Sequence, residues 1–285
     1  MSLLTPLALV LATAVAWSVL DAFRKVLAQR LAPEALVLWL VAGQLPLLAA
    51  GWHGAETPGT LDLTYALVAL AAIGLNIVAN LAFVAAVRHG ELSLVIPLLS
   101  LTPVAVSLLA IPILGELPRP LQVLGIVLTV AAAFVLTGGS LARARRAPGV
   151  GAMLVVVLCW SLTLPLDKIG VGRAGASLHG LVLCSGMMAA MLALLASKRR
   201  LGELVVPRGA WGWLAGAIVV ATIALVTQLL AIEHTLVSVV ETVKRAIGNF
   251  GSLALGMIAF GEKLDSRRAI ALAAMALGAG LVLLG

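Results

Sequence analysis

The stretch LVSVVETVKRAIGNFGSLALGMIAF, residues 236–260, decides how the rest of the chain is read. Its length and apolar character fit a membrane-spanning helix, for which about 20 residues cover the hydrocarbon core. Yet Glu241, Lys244 and Arg245 lie well inside it. A cation at the centre of such a helix costs about 2.5–3.5 kcal/mol to insert, so these charges are not expected to face lipid. They are expected to face a bundle interior, a water-filled cavity or one another. Spacings of three and four place Glu241, Arg245, Gly248 and Ser252 along one helix face. Gly248, Ser252 and Gly256 form a small-residue row suited to close helix packing.

The three charges admit two readings. Glu241 precedes Lys244 by three residues and Arg245 by four, the spacing of an internal ion pair. One carboxylate balances only one cation, however, which leaves a local excess of one positive charge for an anionic ligand. Arginine presents a planar fork matched to carboxylate or phosphate, and lysine a point charge. Lys244 and Arg245 are therefore the expected substrate-binding residues, with Glu241 beside them.

Outward from this stretch the whole chain has the same character. Of 285 residues 62% are hydrophobic and 11% charged, against about 45–50% and about 25% in a soluble domain. The mean hydropathy is +1.15. Ten spans are expected, at roughly 3–22, 34–52, 62–87, 91–113, 119–138, 149–168, 177–197, 209–233, 236–260 and 266–285. The fold class is all-α, a polytopic membrane protein. Pro165 is expected to interrupt helix 6, and helix 4 contains Pro97, Pro103 and Pro112. The net charge of +7 sits mostly in short loops and sets topology, so nucleic acid is not an expected partner. Cys159 and Cys184 lie in apolar runs and read as small packing residues.

The chain also repeats itself. Trp17-Ser18 and Lys25 recur as Trp160-Ser161 and Lys168, 143 residues on. Ala86, His89 and Ser93 recur as Ala231, His234 and Ser238 at 145, and Gly115-Glu116 as Gly261-Glu262 at 146. Four matches in one order, at half the chain length, indicate an internal duplication. The expected organisation is a first five-helix repeat over 1–140, a basic linker over 141–148 and a second repeat over 149–285. Five spans per half turn the second copy upside down, the inverted arrangement that many transporters use for alternating access. Fourteen Lys and Arg residues fall on one side, among them Arg24, Lys25, Arg143, Arg145, Arg146 and Lys198 to Arg200, against Arg119, Lys168 and Arg173 on the other. The richer side is expected to be cytoplasmic, with both termini outside.

Further polar residues fall within the spans. Asp21 lies one turn from both Trp17 and Lys25. It reads either as a coupling or counter-ion carboxylate with Lys25, or as an interfacial salt bridge with Arg24 or Lys25. Trp17 reads as cavity lining or as a packing anchor. Asn76 and Asn80 share a face of helix 3, and Thr222, Thr227 and Gln228 mark helix 8. Asn80 and Gln228 are candidate lining residues, or else interhelical hydrogen bonds worth about 0.6 kcal/mol. His89 and His234 read as span-end residues. No cluster has metal spacing, and no Gly-rich phosphate loop, nucleophile elbow or paired acidic motif occurs. Neither a metal, a cofactor nor catalysis is expected, and a gradient or exchange would supply the energy.

The five-plus-five pattern resembles the drug/metabolite transporter superfamily, specifically its EamA-like members. The residues that carry it are Ala16-Trp17-Ser18 with Lys25, then Pro103, Leu114-Gly115-Glu116, Gly125 and Gly138-Gly139, with Phe260-Gly261-Glu262, Gly278 and Gly280 in the second half. Val243-Lys244-Arg245-Ala246 is similar to the Lys-Arg pair with which triose-phosphate/phosphate translocators hold the substrate phosphate. Those proteins also carry a lysine four residues before a helix-4 proline, where this chain has Leu99. Typical EamA-like chains have termini inside and basic residues after helix 2, whereas residues 51–63 here contain no Lys or Arg. The resemblance implies a secondary transporter of the bacterial inner membrane, moving a small carboxylate- or phosphate-bearing metabolite. A translocator of a phosphate-bearing lipid carrier and an exporter of amino acids or drugs are the alternatives. Membrane lipids are expected partners, and association into a homodimer is left open.

Overall fold

In the computed structural model, residues 4–53, 61–90, 95–136, 148–260 and 266–285 are described. Among them ten α-helices follow one another: α1 (Leu4–Ala28), α2 (Pro33–His53), α3 (Leu63–His89), α4 (Thr102–Leu114), α5 (Pro120–Leu136), α6 (Val150–Ala174), α7 (Ala176–Ser197), α8 (Trp211–His234), α9 (Val237–Phe260) and α10 (Ser266–Leu284). No strand occurs among the described residues. Six helices, α1, α2, α3, α6, α7 and α8, are long and apolar enough to cross a membrane, and α4, α5 and α10 are shorter apolar helices. The protein is an integral membrane protein. Helix is the expected solution, because a backbone in lipid must satisfy its own N–H and C=O groups. Large apolar side chains such as Leu70, Leu108, Leu158 and Leu277 cover the outside. The charges of α9 lie inside, with Glu241 fully buried and Lys244 and Arg245 nearly so.

Local chemistry sets the helix ends. Asp62 caps α3 by accepting the Tyr65 backbone N–H at 2.9 Å. Gly115 closes α4 with φ of 70°, a left-handed conformation that glycine adopts without a Cβ penalty. Gly175 alone separates α6 from α7, with φ of 77°.

Two expectations about proline are corrected. Pro165 does not interrupt helix 6, since α6 runs unbroken from Val150 to Ala174. Helix 4 is not uniform either. A 3-10 turn over Ile96–Leu101 precedes α4. Pro103 has no N–H for the Leu99 carbonyl. The Thr102 hydroxyl donates to that carbonyl instead, at 2.6 Å.

The helices pack as matched pairs. α3 lies along α6 as α1 lies along α8, α1 meets α9 as α6 meets α4, and α2 meets α8 as α7 meets α3. The pairs α2 with α7 and α5 with α10 complete the pattern. One contact occurs twice in detail. Ile218 of α8 fills the space over Gly43 of α2, where an added Cβ would come within 2.4 Å of its Cδ1. Ile73 of α3 does the same over Gly186 of α7, also at 2.4 Å. Glycines let the backbones of α5 and α10 approach too, because a Cβ on Gly125 would lie 2.4 Å from the Gly278 carbonyl oxygen.

Candidate functional site

The matched packing of α1, α2, α3, α6, α7 and α8 leaves a cavity of about 90 Å³ in the middle of the bundle, reached also by Lys244 and Arg245 of α9. Its lining follows spacings of 143 and 145 residues. Trp17, Leu20, Asp21 and Arg24 of α1 face Trp160, Thr163, Leu164 and Asp167 of α6, each pair 143 residues apart. Leu40, Val41 and Gln44 stand to Leu183, Cys184 and Met187 at the same spacing, and Asn76 and Asn80 to Ala221 and Leu225 at 145. Position is thus repeated while chemistry is not. The first half contributes Asp21, Arg24, Gln44, Asn76 and Asn80, where the second contributes Leu164, Asp167, Met187, Ala221 and Leu225.

The charges on α9 form a triad. Glu241 Oε2 lies 2.5 Å from Lys244 Nζ, and Glu241 Oε1 lies 2.6 Å from Arg245 Nε. Thr102 joins them: its Oγ1 is 2.5 Å from Glu241 Oε1 and accepts from Arg245 Nε at 3.1 Å. Lys244 also donates to Gln228 Oε1 at 3.0 Å. Both cations lie over indole rings of the repeat, Lys244 Nζ 5.5 Å from the centroid of Trp17 and Arg245 Cζ 5.7 Å from that of Trp160. Such contacts favour a cation most when water is excluded. Among the described residues, the bonds of Arg245 to Thr102 and Glu241 run through Nε, and Arg245 lines the cavity.

A second charged group sits on α1. Arg24 Nη2 donates to Asn80 Oδ1 at 3.1 Å, and Nη1 lies 3.7 Å from Asp21 Oδ1. Asn80 in turn donates to the Asn76 backbone carbonyl at 2.8 Å. Counting Arg24 as a loop charge is therefore corrected: it is buried and lines the cavity, because α1 continues to Ala28 instead of ending near residue 22. The expected charge imbalance is corrected as well. Glu241 contacts both cations, and Asp21 and Asp167 line the same cavity.

Of the residues expected at the site, Trp17, Asp21, Asn80, Gln228, Lys244 and Arg245 come together around the cavity, with Glu241 directly behind the last two. Lys25 is half-buried and not among the lining residues. Thr222 and Thr227 bond to carbonyls of their own helix and stay outside the lining. The side chains of Ser252 and Gly256, the linker arginines Arg143 to Arg146, and Gly261-Glu262 lie outside the described residues. Asp167, Trp160, Gln44 and Thr102 were not legible as site residues. The 143-residue offset from Trp17 and Arg24 points to Trp160 and Asp167; nothing local marks Thr102.

The sequence model of the EamA-like transporter family matches residues 4–138. No curated protein matches the chain. A solved crystal structure shares the fold with a TM-score of 0.75 at 18% identity, over 99% of this chain and 98% of that one. That likeness extends the fold across both halves. The chain is thus similar in sequence to EamA-like transporters over its first half, and over its whole length it shares its fold with a solved structure.

Proposed function

We propose that the protein is a secondary transporter that moves a small organic anion by alternating access between two inverted five-helix repeats. The observation that carries this reading is the pair Lys244 and Arg245, held over Trp17 and Trp160 at a cavity deep in the bundle. Glu241 meets both cations from behind, and both also line the cavity, where a ligand anion can approach them. Arg245 offers the fork for a carboxylate or phosphate, Lys244 a point charge, and Gln228 positions the lysine. The apolar side chains of Leu164, Met187, Ala221 and Leu225 in the lining favour a substrate with a hydrocarbon or ring portion over a bare inorganic ion.

The paired contacts at Gly43 and Gly186, and the lining repeated at 143 and 145 residues, support the inverted repeat. In that arrangement each half can adopt the other's packing, which is how a central site comes to face either side in turn. The fourteen-to-three charge asymmetry, less Arg24, still supports a cytoplasmic face carrying Lys198 to Arg200 and both termini outside, in a bacterial inner membrane.

The test is ligand-dependent thermal stabilisation of the purified protein across organic anions, cations and zwitterions, each with small and large apolar groups, followed by uptake of the best ligand into proteoliposomes. Anions with an apolar group should stabilise the wild type. Arg245→Ala and Lys244→Ala should lose that effect while still inserting, and Arg245→Lys should lose most of it because the fork is gone. Stabilisation by cations alone, or full binding by both alanine variants, refutes the reading. Preference for zwitterions would favour an amino-acid exporter, since Asp21 and Asp167 share the cavity. Preference for lipid phosphates would favour the lipid-carrier translocator.

A further inference from the structure

Asp167 and His179 have no part in holding the anion. We propose that they form a proton-binding site that loads one proton together with the substrate anion. The pairing of proton with anion rests on the reading above; the site itself does not.

The two residues meet because a single residue, Gly175, joins α6 to α7 and folds the hairpin tightly. His179 is fully buried, and its Nε2 lies 3.3 Å from Asp167 Oδ1. Gly170 makes the slot for the ring, since a Cβ there would lie 2.3 Å from His179 Cε1. Tyr65 closes the slot edge-on, with ring centroids 5.9 Å apart. Among the described residues, His179 Nδ1 has no hydrogen-bond partner. Buried polar atoms are nearly always partnered, so a bare one needs an explanation. A neutral imidazole that donates from Nε2 to the carboxylate leaves Nδ1 as an open acceptor. A proton added at Nδ1 creates an imidazolium that keeps its bond to Asp167. The slot holds the ring by shape in both forms.

Asp167 connects this pair to the cavity, which it lines. Its repeat partner is Arg24, so equivalent positions carry opposite charges and the two halves are not equivalent toward a proton. Other charged groups near the pair are engaged elsewhere. On α6, Lys168 pairs with Glu116 at 2.5 Å and Arg173 with Asp62. Tyr65 on α3 and Cys184 on α7 are the remaining titratable groups beside the pair or in the same lining. Across the cavity stand Asp21 and Arg24 of α1 and the α9 triad, while α2 and α8 present only the amides Gln44 and Gln228 to it.

Around the cavity, the charges among the described residues are Arg24, Lys244 and Arg245 against Asp21, Asp167 and Glu241, all buried except the partly exposed Asp21. With His179 neutral they balance, three against three. A monovalent anion entering this set leaves one negative charge in excess. A proton on His179 restores balance inside a region of low dielectric, where an uncompensated charge is expensive. Anion and proton therefore raise each other's affinity by the same factor.

The experiment is nuclear magnetic resonance of the full chain, labelled with 15N-histidine, in lipid nanodiscs between pH 9 and pH 5. The four histidines are assigned by single His→Gln changes. His179 should pass from neutral to imidazolium within this range. Asp167→Asn should weaken its proton binding at least tenfold, because the carboxylate that favours the imidazolium is gone. Arg245→Gln should strengthen it at least threefold, because one cavity cation is gone. A His179 that stays neutral to pH 5, or that ignores Asp167→Asn, makes the pair structural and overturns the proposal. Indifference to Arg245→Gln severs the pair from the cavity and overturns it equally. None of these readouts needs a substrate, so they separate from a failure of the anion panel.

Discussion

Glu241→Gln tests the triad at its centre. Glu241 is fully buried, lies 2.5 Å from Lys244 and 2.6 Å from Arg245, and has the Thr102 hydroxyl at 2.5 Å. The substitution keeps the shape of the side chain and removes its charge. Breaking a buried pair from one side costs about 3–5 kcal/mol, because the partner is left uncompensated. Here two cations are left, which pushes the cost up, and both keep other contacts, Lys244 with Gln228 and each with an indole ring, which pushes it down. A loss of about 3 kcal/mol of stability is expected. An anion in the cavity then takes over the role of the missing carboxylate. A ligand at 100 times its Kd adds about 2.7 kcal/mol to any protein it binds only when folded. The variant should therefore be unstable alone yet gain more from the same anion concentration than the wild type does. The assay is unfolding of the purified protein in detergent, with and without the best anion of the panel. Stability within about 0.5 kcal/mol of wild type, the range of ordinary surface changes, would refute the idea that the triad is held by charge. So would a smaller gain from the anion.

Three further outcomes are expected. Gly43→Leu and Gly186→Leu should each destabilise the bundle by about 1–3 kcal/mol in thermal unfolding, since Ile218 and Ile73 fill the space over them and overpacking has that cost; a neutral result at either would remove the matched contact as a determinant of the fold. The Asp62 carboxyl, outside the spans, is held below the usual range, first by the Tyr65 backbone N–H and then by Arg173. A depressed carboxyl contributes stability above its unfolded value, near pH 3.9, and loses it as pH falls through the lower folded value; Asp62→Asn should therefore flatten the acid limb of the unfolding profile, and an unchanged limb would refute the cap's role. Lys198→Cys in a cysteine-free background should resist an impermeant thiol reagent added to intact cells, and ready labelling would invert the orientation.

The sequence by itself determined the class, the ten helices and their order, because twenty-residue apolar runs have one viable conformation in lipid. It also determined that the α9 charges turn inward, since Glu241, Lys244 and Arg245 are expensive wherever they point except inward. The expectation of a doubling rests on Trp17 and Trp160, Lys25 and Lys168, and the recurring Gly-Glu dipeptides. What only the tertiary structure decided was which side chains meet. Most of these helices are apolar on nearly every face, so outside α9 few polar residues mark the side turned inward. Arg24 sits beside Lys25 in sequence, yet helix rotation sends Arg24 to Asn80 and keeps Lys25 out of the cavity lining. In the second half, rotation sends Asp167 to His179 and Lys168 to Glu116. Thr102 reaches the triad because Pro103 frees the carbonyl before it and α4 packs against α9. The charge balance of the cavity is likewise a sum over helices far apart in the chain, fixed by the packing that brings α1, α6 and α9 to one point.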